Sequence, residues 1–405
     1  MIALALAVAM TGSWTSWAPR PEIAPKTLER GGVLEISGGG NPSAHGGWER
    51  VVSGIEAGKW YRLQALYQCA QVPYEQIQVT ARLDWLDGAG KRTGQPDYAW
   101  EAQREGDWKR VSLLVPAPAG ARGAKIQLYL SNAPNGRVTW KDVTLEAASD
   151  PGPRPVRVAS VNLRPRNSPS REASVAAFTA AVEQRLTSPV DVIVLPEGIT
   201  VVGTDQHYAD VAERLPGPTT KTLGGIAAKH HAWIVAGLYE REGNAIYNTA
   251  VLIDREGRLA GKYRKVYLPR EEIEGGITPG SSYPTFRTDF GTVGLMICWD
   301  SNYADPARGL ALHGAELVLV PIWGGNETLM RARAIENRVF IATSGYDYPT
   351  QIIDPDGKII AEAKAQGTAA LATIDLNRRY LEPWLGDMKQ RLRKELRLDV
   401  PAGFE

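Results

Sequence analysis

Short stretches of alternating apolar and polar residues fill the first third of the chain. Residues 77–83, Ile-Gln-Val-Thr-Ala-Arg-Leu, show the two-residue period of a strand with one buried face. Clusters of Gly, Pro, Asp and Asn separate such stretches and mark turns. The predicted strands cover residues 33–36, 60–67, 77–85, 109–115, 125–130 and 137–145. Many short strands at this spacing predict an all-β sandwich of jelly-roll type over residues 14–148.

The pattern changes after residues 149–155, a Pro- and Gly-containing stretch that reads as a short, stiff linker. Apolar strands then alternate with helical patterns to the end of the chain. Strands are predicted at 156–162, 190–195, 233–238, 248–253, 258–261, 317–321, 340–344 and 369–374, with helices at 172–186, 220–230, 306–313, 327–338 and 387–397. Buried strands that alternate with helices predict an α/β layered domain over residues 156–405.

Composition narrows the classes of function. The chain has 405 residues and a formal net charge of +1, without dense Lys/Arg blocks, so its charge gives no reason to expect nucleic acid or an anionic membrane as a partner. Two cysteines, assigned to different domains, make a disulfide scaffold and a Cys-rich metal site poor explanations. Five scattered histidines show no zinc-binding spacing. We therefore expect neither a metal nor a cofactor.

Residues 1–13 begin with an apolar run of about ten residues, which is too short to span a bilayer. The run is typical of the hydrophobic part of a secretory signal, although it lacks a basic leader. The pattern favours export to the periplasm or the extracellular space, and a cytoplasmic location is the alternative.

Three side chains that can do chemistry stand where an apolar stretch ends. Cys298 follows residues 292–297, an apolar strand, and is itself followed by an aromatic residue and an acid. Glu197 comes directly after the apolar run 192–195 and a proline, so its carboxylate is poorly hydrated and suited to act as a base. Lys265 lies between a basic-aromatic run and an apolar one, where a fixed ammonium favours a thiolate. Taken alone, each residue also has a simple structural explanation: Cys298 as a thiol in the core, Glu197 as an acid in a loop and Lys265 as a lysine on the surface.

Together these residues resemble the carbon–nitrogen hydrolase (nitrilase) superfamily. The resemblance extends from about residue 156 to residue 374 and rests on many spaced motifs. They are Leu195-Pro196-Glu197, Tyr247-Asn248-Thr249-Ala250, Lys262-Tyr263-Arg264-Lys265, Thr278-Pro279-Gly280, Gly294-Leu295-Met296-Ile297-Cys298-Trp299-Asp300, Arg308, and Arg331-Ala332-Arg333-Ala334-Ile335-Glu336-Asn337. The resemblance implies a four-layer α-β-β-α sandwich and a homodimer or larger homo-oligomer that forms through the helices after the cysteine.

The resemblance also implies roles. Glu197 is the expected general base, Lys265 the cation that stabilises an oxyanion, and Cys298 the nucleophile. The backbone N–H of Trp299 is expected to help bind the oxyanion, and Trp323 to form a wall on the substrate side.

A second glutamate is usual in the family between the lysine and the Pro-Gly turn. Here the usual position falls on Ile273, with an acid on either side. We expect Glu274 to be this accessory carboxylate, and Glu272 is the alternative.

The residue types that follow the cysteine indicate which class of substrate to expect. Amide and N-carbamoyl hydrolases of the family more often have an aromatic residue and then Asp, so Asp300 favours an amide over a nitrile. The Pro-Glu that is usual a few residues later is replaced by Ala304-Asp305. The expected function is hydrolysis of a small linear amide or N-carbamoyl compound through a cysteine thioester. The alternatives are a nitrilase or N-acyltransferase with the same triad, and a non-catalytic sugar-binding or scaffold protein.

The first domain is rich in tryptophan, and its texture resembles that of galactose-binding-like, carbohydrate-binding β-sandwiches. Exposed aromatic rings stack on sugar faces, whereas tryptophans inside a sandwich are more often part of its core. Carbohydrate is therefore one expected partner of residues 14–148, and a docking role is the alternative.

Overall fold

A computed structural model describes residues 12–346, 350–397 and 399–400. The signal-like segment 1–13 thus lies almost entirely outside the described residues. The described chain forms two compact units, divided after Gly152 and again before Arg379. Within the described residues, no helix has the length and hydrophobicity needed to span a bilayer.

The first unit is an all-β sandwich. Its elements are β1 (Thr15–Trp17), a 3-10 turn (Pro21–Ile23), β2 (Lys26–Arg30), β3 (Val33–Ser37), β4 (His45–Ser53), β5 (Trp60–Ala70), α1 (Glu75–Gln78), β6 (Val79–Leu86), β7 (Asp97–Ala99), β8 (Glu101–Glu105), β9 (Trp108–Pro116), β10 (Gly123–Ser131) and β11 (Arg137–Ala148). One antiparallel sheet has the order β1-β4-β10-β6-β7 and the other β2-β3-β11-β5-β9-β8. Alternate residues of both sheets, including Trp85 and Trp140, form a shared buried core. These two tryptophans are therefore core residues.

The second unit is built from two six-stranded sheets. Its elements are β12 (Pro155–Asn162), α2 (Arg171–Arg185), β13 (Val192–Val194), α3 (Tyr208–Val211), α4 (Pro218–His230), β14 (Trp233–Glu242), β15 (Ala245–Ile253), β16 (Leu259–Arg264), α5 (Arg270–Glu274), β17 (Thr285–Arg287), β18 (Thr292–Leu295), a 3-10 turn (Cys298–Asn302), α6 (Asp305–Leu312), β19 (Leu317–Pro321), α7 (Glu327–Asn337), β20 (Phe340–Ser344), β21 (Thr350–Ile353), β22 (Ile359–Ala363) and β23 (Thr368–Asp375).

The sheet orders are β16-β15-β14-β13-β12-β23 and β17-β18-β19-β20-β21-β22. The two sheets face each other, since β12 lies against β20 and β21, and β13 and β14 against β19. Helices α2 and α4 cover the first sheet, and α6 and α7 the second. This is the four-layer α-β-β-α arrangement that the resemblance implies. Strands β12, β13 and β14 run parallel, as do β18, β19 and β20, so residues that follow β13 and β18 emerge at carboxyl ends of strands, where α/β sheets bind ligands.

Local sequence explains where the covering helices begin. The hydroxyl oxygen of Ser170 accepts from the backbone N–H of Ala173 at the start of α2, and Asn326 does the same for Leu329 at the start of α7. Proline occupies the first turn of α4 and of α6. On α2, Val175, Phe178 and Val182 are buried against the first sheet. Capping and an apolar face together fix these helices on the sheets.

The described residues from Arg379 onward group with the first unit by their contacts, whereas the sequence predicted that residues 156–405 form one domain. The elements are β24 (Leu381–Glu382), β25 (Gly386–Asp387) and α8 (Met388–Glu395). The guanidinium of Arg379 pairs with Asp97 at 2.5 Å, and the side chain of Gln390 accepts from the backbone N–H of Tyr98 at 2.8 Å. Lys394 donates to the carbonyls of residues 76 and 79. Polar side chains of helix α8 therefore contact the rest of the first unit.

Candidate active site

The three side chains singled out by sequence meet in the second unit. The ammonium of Lys265 lies 2.8 Å from an oxygen of Glu197, and both side chains are almost fully buried. The charges of Glu197 and Lys265 both act on the thiol of Cys298. Glu197 follows β13, Lys265 follows β16 and Cys298 follows β18. A base, a cation and a nucleophile therefore converge from three strand ends.

Lys265 is held as a cation. Its backbone N–H donates to the carbonyl of Asn248 at 2.9 Å, which anchors the residue to β15. Burial works against its charge, but the negative charges of Glu197, Cys298 and Glu272 raise the pKa of Lys265 above its ordinary value. The residue is thus protonated throughout the neutral range and is suited to stabilise negative charge that develops on a substrate.

Cys298 opens a 3-10 turn with a strained backbone. Its φ is +41°, in the left-handed region that residues other than glycine rarely adopt. The thiol lies 3.3 Å from the carbonyl oxygen of Gly324, to which it donates. Burial and the charge of Glu197 together raise the pKa of Cys298 to about 12, although the charge of Lys265 opposes the rise. A neutral thiol beside a carboxylate needs that carboxylate to take its proton before it can attack.

Glu272, and not Glu274, is the second carboxylate of the cluster. Glu272 is 4 % exposed, lies 3.1 Å from the Lys265 ammonium and accepts from the side-chain amide of Asn248 at 2.5 Å. Burial raises the pKa of Glu272, while the charge of Lys265 opposes this and that of Glu197 adds to it. Glu274 is exposed and pairs with Arg270 one helical turn earlier. The expectation for Glu274 was therefore wrong, because residues two apart on α5 face opposite sides of the helix.

A pair of substitutions tests this correction. Glu272→Gln is expected to lower the kcat of the expected amide hydrolysis by about 100-fold or more, because the lysine loses one of its two buried carboxylate partners. Glu274→Gln, the matched control on the same helix, is expected to leave kcat and KM within about twofold, because surface ion pairs contribute little. Steady-state kinetics of both variants provide the measurement. A larger loss in the Glu274 variant would restore the original assignment.

Two residues of the site were not singled out from sequence. The side-chain amide of Asn248 donates to Glu197 at 2.7 Å as well as to Glu272, so it connects the two carboxylates. The hydroxyl of Tyr346 donates to the backbone carbonyl of Glu197 at 2.6 Å. Asn248 stood within a quoted motif, where its buried position on β15 was the available signal. Nothing in the sequence around Tyr346 marked it.

The two expected tryptophans are both neighbours of the cysteine: Trp299 follows it in the 3-10 turn, and Trp323 precedes Gly324, whose carbonyl contacts the thiol. Trp299 is 40 % exposed, and its backbone N–H belongs to the first turn of the 3-10 segment, where N–H groups lack intrahelical acceptors. Trp323 is half-buried, packs edge-on against Tyr346 and precedes the Gly324 carbonyl that contacts the thiol. Across the part of the chain that the structure describes, no group of three or more His, Cys, Asp or Glu side chains is arranged to hold a metal ion.

The position of Glu197 depends on a glycine in the neighbouring strand. Gly237 on β14 donates its N–H to the carbonyl of Pro196 at 2.9 Å, and its carbonyl accepts from Ile199 at 2.8 Å. A Cβ at position 237 would lie 2.6 Å from the Cα of Glu197. Gly237 therefore allows β14 to approach the backbone of the expected base closely.

Gly237→Ala is expected to lower kcat by about 100-fold, because the backbone of Glu197 must move away from the new methyl group. The free energy of unfolding is expected to fall by about 1–3 kcal/mol. Gly225→Ala on helix α4 is the control: nothing lies within 4 Å of its added Cβ, so activity should be unchanged and stability equal or higher. Kinetics and urea denaturation measure both effects, and a fully active Gly237→Ala variant contradicts the tight-approach argument.

The second unit is similar in sequence to known carbon–nitrogen hydrolases. A family model described as carbon-nitrogen hydrolase matches residues 157–384. The chain is 34% identical over 210 residues to "Probable nitrilase C965.09" of Schizosaccharomyces pombe, covering 46% of this chain and 76% of that protein. It is 27% identical over 227 residues to "Omega-amidase NIT2" of Homo sapiens, covering 49% of this chain and 81% of that protein.

Solved structures share the fold. A crystal structure of an amidase from Nesterenkonia sp. superposes with a TM-score of 0.50 at 23% identity, covering 57% of this chain and 95% of that one. Saccharomyces cerevisiae Nit3, a member of branch 10 of the nitrilase superfamily, gives a TM-score of 0.50 at 22% identity, covering 62% and 95%.

Proposed function

The chain belongs to the carbon–nitrogen hydrolase family, and we propose that it hydrolyses a small linear amide or N-carbamoyl compound through a thioester on Cys298. One observation carries the proposal: the buried Lys265 ammonium touches two carboxylates, Glu197 and Glu272, beside a cysteine thiol. A cation, a base and a nucleophile in one buried cluster suit acyl transfer. Relatives named omega-amidases support an amide as the substrate class.

The first half of the proposed reaction forms the thioester. Glu197 takes the thiol proton, and the sulfur of Cys298 attacks the carbonyl carbon of the substrate. The carbonyl oxygen becomes an oxyanion, which the Lys265 ammonium and the backbone N–H of Trp299 stabilise. Glu197 then gives its proton to the leaving nitrogen, the C–N bond breaks, and ammonia or an amine departs.

The second half of the reaction consumes water. Glu197, ionised again, takes a proton from a water molecule that attacks the thioester carbonyl. The C–S bond breaks, the acid departs, and the proton returns to the sulfur. One water is consumed for each amide cleaved, and the enzyme regains its starting state. The raised pKa of Cys298 is compatible with this cycle, since the thiol is a poor nucleophile until Glu197 deprotonates it.

A substrate panel tests the proposal. Linear amides, ureido acids and nitriles are incubated with the protein at pH 7.5, ammonia release is measured, and intact mass is recorded for an acyl adduct that peptide mapping assigns to Cys298. The expected result is ammonia from amides or ureido acids, an adduct on Cys298 and no turnover of nitriles. Hydroxylamine is included, because an acyltransferase would give a hydroxamate in place of most of the acid. Turnover of nitriles alone, or no adduct with any compound, overturns the proposal.

A further inference from the structure

Asp300, two residues after the cysteine, is completely buried and uses both carboxylate oxygens. One oxygen accepts from the backbone N–H of Ile297 at 2.9 Å and from the hydroxyl of Tyr263 at 2.8 Å. The other accepts from the backbone N–H of Tyr267 at 2.9 Å. Three donors converge on one side chain that has no exposed surface. Both carboxylate oxygens of Asp300 are therefore occupied by donors of the protein itself.

The donors belong to the segments that carry the reacting groups. Ile297 immediately precedes Cys298, whereas Tyr263 and Tyr267 flank Lys265 by two residues on each side. A single carboxylate is thus hydrogen-bonded to the backbone of the nucleophile's turn and to both flanks of the cation. Because hydrogen bonds to a buried charged acceptor are stronger than those between neutral groups, this link resists changes in the separation of the two segments.

Asp300 also closes the turn that strains Cys298. Its side chain accepts from the N–H of Ile297, and its backbone N–H donates to the carbonyl of Ile297 at 2.9 Å. Both polar groups of the residue before the cysteine are therefore bound to Asp300, while Cys298 between them has a φ of +41°. A backbone conformation of this kind persists only where the surrounding contacts enforce it.

We infer that Asp300 is a positioning residue, which holds Cys298 and Lys265 at the separation that the reaction requires. The inference rests on the proposed function for the reaction itself, but the geometry it describes is independent of the substrate. Burial raises the pKa of Asp300 to about 6, while the donors from Tyr267 and Ile297 and the charge of Lys265 oppose the rise. At pH 8 the carboxylate is ionised and can accept at both oxygens.

Asp300→Asn is the principal test, at pH 8. The variant keeps one acceptor oxygen but places an NH2 group opposite a donor, so the hydrogen bonds at one of the two carboxylate oxygens are lost. We expect kcat to fall about 100-fold with KM within about threefold, because the reacting groups shift while substrate contacts remain. Asp300→Glu, which keeps both oxygens, is expected to recover about tenfold of the lost kcat. An Asp300→Asn variant with unchanged kcat, or with the whole effect in KM, overturns the inference.

Alkylation of Cys298 by iodoacetamide, located by peptide mapping, gives a readout that does not need turnover. We expect its rate to fall about tenfold in Asp300→Asn. Glu213→Gln is the control: Glu213 is a buried carboxylate outside the site that accepts from the N–H and hydroxyl of Thr219. Its alkylation rate and kcat should match those of the wild type. If the wild type cleaves no amide while the alkylation difference holds, the proposed function fails and the positioning role stands.

A smaller change keeps the test decisive if Asp300→Asn does not fold, as judged by its melting curve. Tyr263→Phe removes one donor and leaves the two backbone donors in place. We expect kcat and the Cys298 alkylation rate to fall by about three- to tenfold, with KM unchanged. Where Asp300→Asn does fold, the kcat loss of the double variant Tyr263→Phe/Asp300→Asn should be smaller than the product of the two single losses, because both changes break the same link. Unchanged kcat and alkylation in a folded Tyr263→Phe variant overturn the inference.

Discussion

Replacement of Cys298 by alanine is expected to lower kcat for amide cleavage by at least about 10⁴-fold, because the acyl group then has no sulfur to which it can be transferred. The free energy of unfolding should change by less than about 1 kcal/mol, since Cys298 is only partly buried by its surroundings and alanine has nearly the same backbone preferences. Steady-state kinetics and urea denaturation measure the two effects. Intact mass should show an acyl adduct in the wild type and none in the variant.

The chain contains its own control for this substitution. Cys69 in the first unit is also free and partly buried, and burial together with the charge of Glu75 raises its pKa to about 11. Cys69→Ala should retain the wild-type kcat and the acyl adduct. If Cys298→Ala keeps turnover within tenfold of the wild type, the covalent route is wrong, whatever the family relationship suggests.

Lys265→Met is expected to be the most destabilising single change in the site. The ammonium is 1 % exposed and is paired with Glu197 at 2.8 Å and with Glu272 at 3.1 Å. Without it, two buried carboxylates lie close together with no cation between them, a loss of about 3–5 kcal/mol in the free energy of unfolding. Urea denaturation at pH 5, 7 and 9 measures the loss. Activity should disappear in parallel.

The loss in Lys265→Met should depend on pH. The pKa of Lys265 in the folded protein is raised, so the stability that its charge contributes is complete below the unfolded value of about 10.4 and is lost as pH rises through the folded value. In the variant the two buried carboxylates have no cation between them, so the cost of ionising them grows as pH rises above about 4.3, the ordinary value for Glu. The deficit should thus be smaller at pH 5 than at pH 7. Lys262→Met, whose side chain is 37% exposed and pairs with Glu240, is the control and should cost about 1 kcal/mol or less. A deficit that is equal at all three pH values contradicts the buried-charge account.

The α/β layering of the second unit could be predicted from local pattern, whereas its four-layer fold and the roles of its three central residues were predicted from the family resemblance. Buried strands of parallel sheets are continuous apolar runs, and Glu197 and Cys298 each follow one directly. The second carboxylate could not be assigned in the same way. Glu272 and Glu274 are chemically identical and two residues apart, so spacing alone did not decide which face of α5 is buried. The Arg270–Glu274 pair, four residues apart, was the available sign that Glu274 faces solvent.

Contacts between residues far apart in the chain explain what else could not be predicted from the sequence. The amide of Asn248 bridges two carboxylates 51 and 24 residues away, and the hydroxyl of Tyr346 bonds a carbonyl 149 residues away. Neither partner can be read from a window of sequence. The same reason explains α8, which the sequence assigned to the second domain, while its hydrogen bonds are made with residues of the first unit. The likeness of that unit to sugar-binding sandwiches stays a prediction.

The path of the chain has a consequence for biosynthesis. Strands β12 and β23, at the two ends of the second unit, pair side by side, with Pro155 opposite Asp375, and the chain then continues into elements of the first unit. The hydrolase unit is therefore an insertion within the β-unit. On the ribosome, the unit whose synthesis begins first acquires helix α8 only after the inserted unit has been made. The second unit can be fully synthesised before the first. Proteolytic separation of the two units requires cleavage at two junctions, after Gly152 and before Arg379.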